Sequence, residues 1–95
     1  MRVYISGAIT DVDDYKEHFD RAERQLKAKG YEVFNPTVFD DKLPQLTYEE
    51  YMKLDLALLD MCEVIYMLEG WKKSFGANRE YGYALAKGLK IVEEI

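Results

Sequence analysis

The chain is predicted to adopt an α/β fold, a Rossmann-like, flavodoxin-like three-layer sandwich with a parallel sheet of four to five strands and helices on both faces. Two observations lead there. Short apolar runs alternate with stretches of helical period along the 95 residues, and such alternation implies crossover connections and therefore parallel strands. The first run is apolar and β-branched until it meets Ser6-Gly7, as a buried strand opening into a loop would be. A strand order of 2-1-3-4 is expected, with ligands held beyond the carboxyl ends of the strands.

Each element has its own signal. Residues 2–9 supply the first strand and the loop after it. Asp14-x-x-Glu17 resembles a capping box, and Tyr15, Phe19, Ala22 and Leu26 share one face of the helix it opens; Gly30 stops that helix. Residues 31–35 form a short second strand, closed by Pro36, which cannot donate to a ladder. Residues 37–46, with Asp40, Asp41 and Pro44, read as a loop. Thr47-Tyr-Glu-Glu50 is a capping box for a second helix running to about Met61. Residues 63–68 form a third strand and 70–75 a loop. A third helix spans 76–87, stopped by Gly88, and residues 90–95 supply a fourth strand.

A chain of this length is expected to be one domain, residues 1–95, burying about 60–65% of its unfolded surface. With 48% hydrophobic and 14% aromatic residues it should pack as a globule. Thirteen Lys and Arg against eighteen Asp and Glu give a net charge of -5. That balance argues against a nucleic acid polymer or an anionic membrane as partner, since both require a basic footprint. The single cysteine excludes an internal disulfide and suits a reducing compartment. Set among Leu58, Leu59, Met61 and Val64, Cys62 is read as a small buried thiol. His18 is read as a surface side chain, and no metal site is expected. The opening Arg2-Val3-Tyr4-Ile5 resembles no signal peptide and no run reaches membrane-spanning length, so a cytoplasmic location is expected.

The chemistry-bearing positions gather where the strands end. Neither G-x-G-x-x-G nor G-x-x-x-x-G-K-[ST] occurs, which removes the usual dinucleotide and P-loop readings. Ser6-Gly7, Asn35 and the 69–76 loop should converge. Ser74 and Gly76 open the third helix, whose free amides and positive dipole end favour an anion; equally, Ser74 is a helix cap and Gly76 a turn residue. Glu80 shares a stripe with Ala77 and Ala84, on a face that should meet the sheet or the cleft. Read blandly, it complements the helix dipole from the first turn. Asp55 interrupts an otherwise apolar helix face, where burial would raise its pKa and suit it to proton donation unless a lysine pairs with it. Two carboxylates at one cleft suggest chemistry at an acetal-like carbon, as in glycoside cleavage. Trp71 and Tyr81 are either base-stacking or core and interface aromatics. Lys72-Lys73 read as solvated loop, and Asp13-Asp14 and Asp40-Asp41 as loop and cap charges.

Three motifs resemble the nucleoside 2-deoxyribosyltransferase superfamily, in particular its short members and the 2'-deoxynucleoside 5'-phosphate N-hydrolases: Tyr4-Ile-Ser-Gly-Ala-Ile9, Leu54-Asp55-Leu56, and Ser74-Phe-Gly-Ala-Asn-Arg-Glu80-Tyr-Gly-Tyr-Ala84. The resemblance runs nearly end to end in element order. It implies that Glu80 is a nucleophile attacking the anomeric carbon, that Tyr4 orients it, and that Asp55 lies at the sugar and base. It further implies substrate contacts from Ser6, Gly7, Ala8, Ile9, Asn35, Ser74, Gly76 and Ala77. Transferases of that superfamily that take unphosphorylated nucleosides carry Asp at the position of Ser74, whereas the monophosphate N-hydrolases carry Ser. Asp beside a dianionic phosphate would be repulsive. The chain departs from the longer transferases in lacking their C-terminal extension. It also carries the bulkier and more polar run Phe75-Gly-Ala-Asn78-Arg79, with Arg79 facing either phosphate or solvent.

The sequence therefore leads to the expectation of an enzyme cleaving the N-glycosidic bond of (2'-deoxy)nucleoside 5'-monophosphates, with no cofactor. Base exchange by a deoxyribosyltransferase and a non-catalytic nucleotide-binding module are the alternatives. The expected partner is a small-molecule nucleotide or nucleoside. Tyr48, Tyr51, Met52, Trp71 and Tyr81 exceed what one small sheet should cover, so a homodimer or higher homo-oligomer is expected.

Overall fold

In the computed structural model, which describes residues 1–94, the chain runs through β1 (Arg2–Ser6), α1 (Tyr15–Ala28), β2 (Glu32–Phe34), α2 (Tyr48–Leu59), β3 (Val64–Met67), α3 (Phe75–Lys87) and β4 (Lys90–Glu93). The four strands form one sheet in the order β2-β1-β3-β4, all pairings parallel. The expected order is met. Ile95, the last residue of the predicted fourth strand, lies outside the described residues.

Alternation along the central strands sorts the core into two layers. Val3, Ile5, Val64 and Leu68 pack with Phe19, Ala22 and Leu26 of α1, while Tyr4, Ile65 and Met67 pack with Leu59 of α2 and Ala77 and Ala84 of α3. Successive side chains on a strand point to opposite faces. Tyr4 and Ser6 consequently share the face covered by α2 and α3, and both are buried.

The caps differ from one another. At α2, Thr47 Oγ1 accepts from the Glu50 amide at 3.1 Å, and Glu50 Oε1 accepts from the Thr47 amide at 2.8 Å. The box expected at Asp14 does not form. Asp14 precedes α1 with ψ 27°, against 165° at Thr47, and its side chain makes no capping bond. Only the extended conformation aims a side-chain oxygen back over the first amides. Gly88, with φ 76°, supplies the left-handed residue that ends α3.

The 37–46 stretch is less irregular than its composition suggests. Pro36–Phe39 form a 3-10 turn, with Asn35 Oδ1 accepting from the Thr37 amide at 3.0 Å. Residues Trp71–Lys73 make a second such turn within the loop before α3. His18 is not a free surface group: its Nε2 lies 2.8 Å from Glu94 Oε1 in a part-buried contact joining α1 to the end of β4. Trp71 and Met52, expected to exceed the cover of one sheet, are both buried within the chain. Tyr48 remains half exposed, and Phe75 is 86% exposed. Among the described residues, no helix is long and apolar enough to cross a membrane.

Candidate active site

Glu80 is placed by α3 and met by β1. Ala77, Glu80 and Ala84 are the buried residues of the helix, and their spacing sets them along the face that packs on the sheet. The small alanines on either side leave room for a carboxylate on a face otherwise given to the core. Tyr4 Oη donates to Glu80 Oε2 at 2.7 Å, and Ser6 Oγ donates to Glu80 Oε1 at 2.5 Å. Each oxygen is thus held by one hydroxyl, from two strand residues on a single face. These are short, charge-assisted contacts of the kind that fix a carboxylate's orientation.

The position within α3 decides the electrostatics. Glu80 lies beyond the first turn, which holds no acidic residue, so the reading of a dipole-complementing surface acid does not apply. Burial pushes its carboxyl from 4.5 up to about 7; the Ser6 and Tyr4 hydrogen bonds oppose that rise and the charge of Asp55 adds to it. Burial, then the neighbouring Glu80 charge, raises the Tyr4 phenol well above its usual value, so Tyr4 stays a donor.

Asp55, on α2, is half-buried, and burial first, then the charge of Asp40, raises its carboxyl from 3.8 to about 7. The alternative in which a lysine pairs with it is not realised: among the described residues Asp55 makes neither a salt bridge nor a side-chain hydrogen bond, and no buried side-chain oxygen is left unsatisfied. Its oxygens therefore reach open space. Two carboxyl groups both raised to about 7, with the charge of one bearing on the other, suit paired acid and nucleophile roles.

The loops after β1 and β3 meet one another. The Leu68 amide donates to the Ser6 carbonyl at 2.8 Å. A Cβ on Gly7 would stand 2.9 Å from Leu68 Cδ1, so a larger residue would require the Leu68 side chain to shift. Ala8 is half-buried and Ile9 exposed just beyond. Ser74 caps α3, its Oγ accepting from the Ala77 amide at 3.1 Å; the cap reading is thus realised, and the hydroxyl proton stays available for donation. The amides of Phe75 and Gly76 precede any intrahelical partner. From the position a Gly76 Cβ would take, Met52 Sδ, Tyr48 Oη and Ser74 Oγ lie at 3.4, 3.7 and 3.9 Å.

Other positions are put to different use. Asn35 is buried, but its amide nitrogen donates to Asp20 and Glu23 of α1, both at 2.9 Å, and its oxygen accepts from Thr37. That side chain is spent on anchoring the 3-10 turn, so its expected substrate contact lacks a free polar atom. Arg79 makes a two-pronged contact with Glu49 at 2.9 and 3.2 Å and covers the Tyr48 ring; it binds α3 to α2. Trp71 and Tyr81 stack on one another at 4.7 Å, with the indole N–H donated to Glu93 at 3.0 Å, which occupies them as core aromatics. Lys72 and Lys73 are exposed. Cys62 is buried, its thiol pushed up to about 11 by burial.

A cavity of about 210 Å³ opens at the ends of β3 and β4, lined by Met67, Trp71, Lys72, Lys73 and Glu93 among others. It is smaller than the roughly 300 Å³ at which small-molecule sites begin, and it touches neither Glu80 nor Tyr4. Sequence reasoning missed Tyr48, whose hydroxyl stands by Gly76, and read Asp40 only as a loop charge, although its charge acts on Asp55.

A family model described as a domain of unknown function (DUF4406) matches residues 1–93. No curated protein matches the chain. Among solved structures, a CMP N-glycosidase of Clostridium botulinum, BcmB, is similar with a TM-score of 0.70 and 26% sequence identity, over 98% of this chain and 70% of that one. The structural neighbour is thus an enzyme.

Proposed function

The chain belongs to the DUF4406 family, whose description assigns no activity, and we propose that it is an N-glycosidase of nucleoside 5'-monophosphates akin to the nucleoside 2-deoxyribosyltransferase superfamily. The observation that carries this reading is the buried Glu80 carboxylate, held at both oxygens by Tyr4 and Ser6. A carboxylate so fixed and so little hydrated is arranged to meet one electrophilic carbon. The N-glycosidase named for the structural neighbour supports the same class of bond.

The steps are those of a retaining glycosidase. Ionised Glu80 attacks C1' as the C1'–N bond breaks, its electron pair leaving with the base. Protonated Asp55 delivers the proton that neutralises the departing base. Water then attacks C1' of the glycosyl-enzyme, with Asp55 taking the water's proton, and Glu80 is released with ribose or deoxyribose 5-phosphate. Tyr4 and Ser6 hold the nucleophile throughout. Ser74 and the amides at the start of α3 receive the 5'-phosphate. The exposed Phe75 and Tyr48 at that mouth fit a second copy of the chain, and light scattering should show a homodimer rather than a monomer.

Purified protein incubated with a panel of nucleosides and 5'-monophosphates, with released base followed by chromatography, tests the reading. Base release from monophosphates is expected. Formation of a new nucleotide on adding a second free base would make the enzyme a transferase. Tight binding without turnover of any compound would make it a binding module.

A further inference from the structure

Ser6 is the last residue of β1 and is 1% exposed, yet its hydroxyl is only half used. Its Oγ donates to Glu80 Oε1 at 2.5 Å, while Tyr4 Oη donates to Oε2 at 2.7 Å. An ionised carboxylate accepts and never donates, so both hydroxyl protons are committed to Glu80. A serine oxygen also accepts, through two lone pairs. Among the described residues no donor is directed at Ser6 Oγ. The two oxygens of Glu80 are not equivalent either. Tyr4 reaches Oε2 from two residues earlier on the strand. The short side chain of Ser6 keeps Oε1 beside the carboxyl end of β1, the side from which ligands enter such sheets. Oε1 is the oxygen presented to a ligand, with Ser6 Oγ next to it.

Stereochemistry brings a substrate group to the same place. In a β-nucleotide the base leaves from one face of the sugar, and an in-line nucleophile attacks C1' from the other. The 2'-hydroxyl of ribose projects on that other face, where 2'-deoxyribose has only hydrogen. With C1' roughly 3–3.5 Å from Oε1, the 2'-oxygen sits one carbon away on the face that meets Glu80. The ring oxygen of the sugar carries no hydrogen, and Ser6 has no proton to spare for it. The 2'-hydroxyl is the group beside C1' that can pair with Ser6 Oγ.

Resting on the reading of Glu80 as the nucleophile, we propose that Ser6 selects the sugar: its Oγ accepts the hydrogen of a ribose 2'-hydroxyl while it continues to donate to Glu80, so that the substrates are ribonucleoside 5'-monophosphates. Without that acceptor the 2'-hydroxyl is left unpaired or donates to Glu80 itself. The first costs the desolvation of a polar group, and the second draws charge from the nucleophile. The serine avoids both.

The test measures kcat/KM for base release from the ribo, 2'-deoxy and arabino 5'-monophosphates of whichever base the chain releases fastest. A 2'-hydroxyl also withdraws electrons from C1' and slows cleavage in any protein, so ratios are compared between proteins. Ser6→Ala removes the acceptor, and Ser6→Cys keeps the volume with a weak one. Both slow every nucleotide by loosening Glu80. Beside that common loss, the ribo-to-deoxy ratio should fall at least about tenfold, the scale of one lost hydrogen bond in a closed site. A merely structural role for Ser6 would leave the ratio alone. The arabino epimer carries the same electron withdrawal, but its 2'-hydroxyl stands on the base's face. The unaltered chain should cleave it at least about tenfold more slowly than the ribonucleotide, and Ser6→Ala should narrow that gap. This comparison decides if neither variant folds. A ribo-to-deoxy ratio that both variants leave within about threefold of the parent, or an arabino epimer cleaved as fast as the ribonucleotide, would overturn selection by Ser6 while base release still upholds the glycosidase. Absence of base release from every nucleotide would overturn both.

Discussion

Tyr4 Oη and Glu80 Oε2 meet at 2.7 Å across 76 residues of sequence, in a buried contact between the first strand and the last helix. The hydroxyl fixes the direction of a carboxylate that its surroundings would otherwise protonate. Desolvation is the largest influence on Glu80, and the hydrogen bonds from Ser6 and Tyr4 only partly offset it. The result is an acid poised near neutrality and held still, which is what nucleophilic attack on C1' requires.

Glu80→Gln keeps the side chain's volume and removes its nucleophilic charge. Base release should fall by several orders of magnitude, on the scale of losing a group that acts in the transition state. The fold should survive, because a neutral amide still accepts from one of the two hydroxyls. Binding of a nucleoside 5'-monophosphate should persist or tighten as one negative charge disappears. Base release within about tenfold of the parent enzyme would remove Glu80 from the chemistry.

Much of this site was legible in the sequence because it depends on period. Tyr4 and Ser6 are two apart on a strand and so face one side. Ala77, Glu80 and Ala84 fall on one helical stripe, where an acid stands out. The resemblance in the three motifs joined those two faces, and the parallel sheet followed from alternation, its strand order from the flavodoxin-like arrangement. What stayed hidden depends on contacts distant along the chain. Asn35 turns toward Asp20 and Glu23 of α1, and Asp40 takes the Tyr15 hydroxyl across 25 residues. His18 finds Glu94 across 76 residues. The failed cap at Asp14 is set by a backbone angle that no residue type there enforces.

Asp55 and Glu80 together predict the pH dependence of turnover. For the proposed reaction Glu80 must be ionised and Asp55 protonated, while both are raised to about 7 and the Asp55 charge bears on Glu80. A pair of this kind titrates as a unit, so kcat should follow a narrow bell centred near neutral pH. Asp55→Asn should lower kcat by about 10²–10⁴-fold, the usual contribution of a general acid. It should also abolish the alkaline limb and move the acidic limb to lower pH, since the charge that helps raise Glu80 is gone. An unchanged bell in Asp55→Asn would assign both limbs to other groups.

The same groups predict how stability depends on pH, and the sign is opposite to that of a salt-bridged carboxylate. Glu80 rises from 4.5 to about 7 on folding, and Asp55 from 3.8 to about 7. Between those values the folded chain holds protons that the unfolded chain has released. Their contribution is fully present below about pH 4 and is lost as pH rises through 7. Denaturant unfolding should therefore give a stability lower by a few kcal/mol at pH 8 than at pH 5. Carboxylates with lowered values, such as Glu23, act below this window. Glu80→Gln should flatten the slope, and a stability that climbs from pH 5 to pH 8 would show that Glu80 is not held as a near-neutral acid.

Under the proposed function, Ser74 decides between a phosphorylated and an unphosphorylated sugar. Its oxygen accepts from the Ala77 amide at 3.1 Å and so begins α3, a task aspartate performs as well. An aspartate there also favours the positive end of the helix dipole. Ser74→Asp should accordingly leave the melting temperature unchanged or slightly higher, separating the effect on ligand from any effect on fold. A second anion beside a dianionic phosphate is repulsive, and in a half-buried setting the penalty is about 2–3 kcal/mol, or some 30- to 150-fold in affinity. Nucleosides lack that phosphate and offer a hydroxyl that the new carboxylate can accept from, so their affinity should hold or improve. The decisive measurement is the ratio of 5'-monophosphate to nucleoside affinity in the two proteins. A ratio unmoved by Ser74→Asp would place the phosphate away from the start of α3, and with it the assignment of Phe75 and Gly76 amides as its donors.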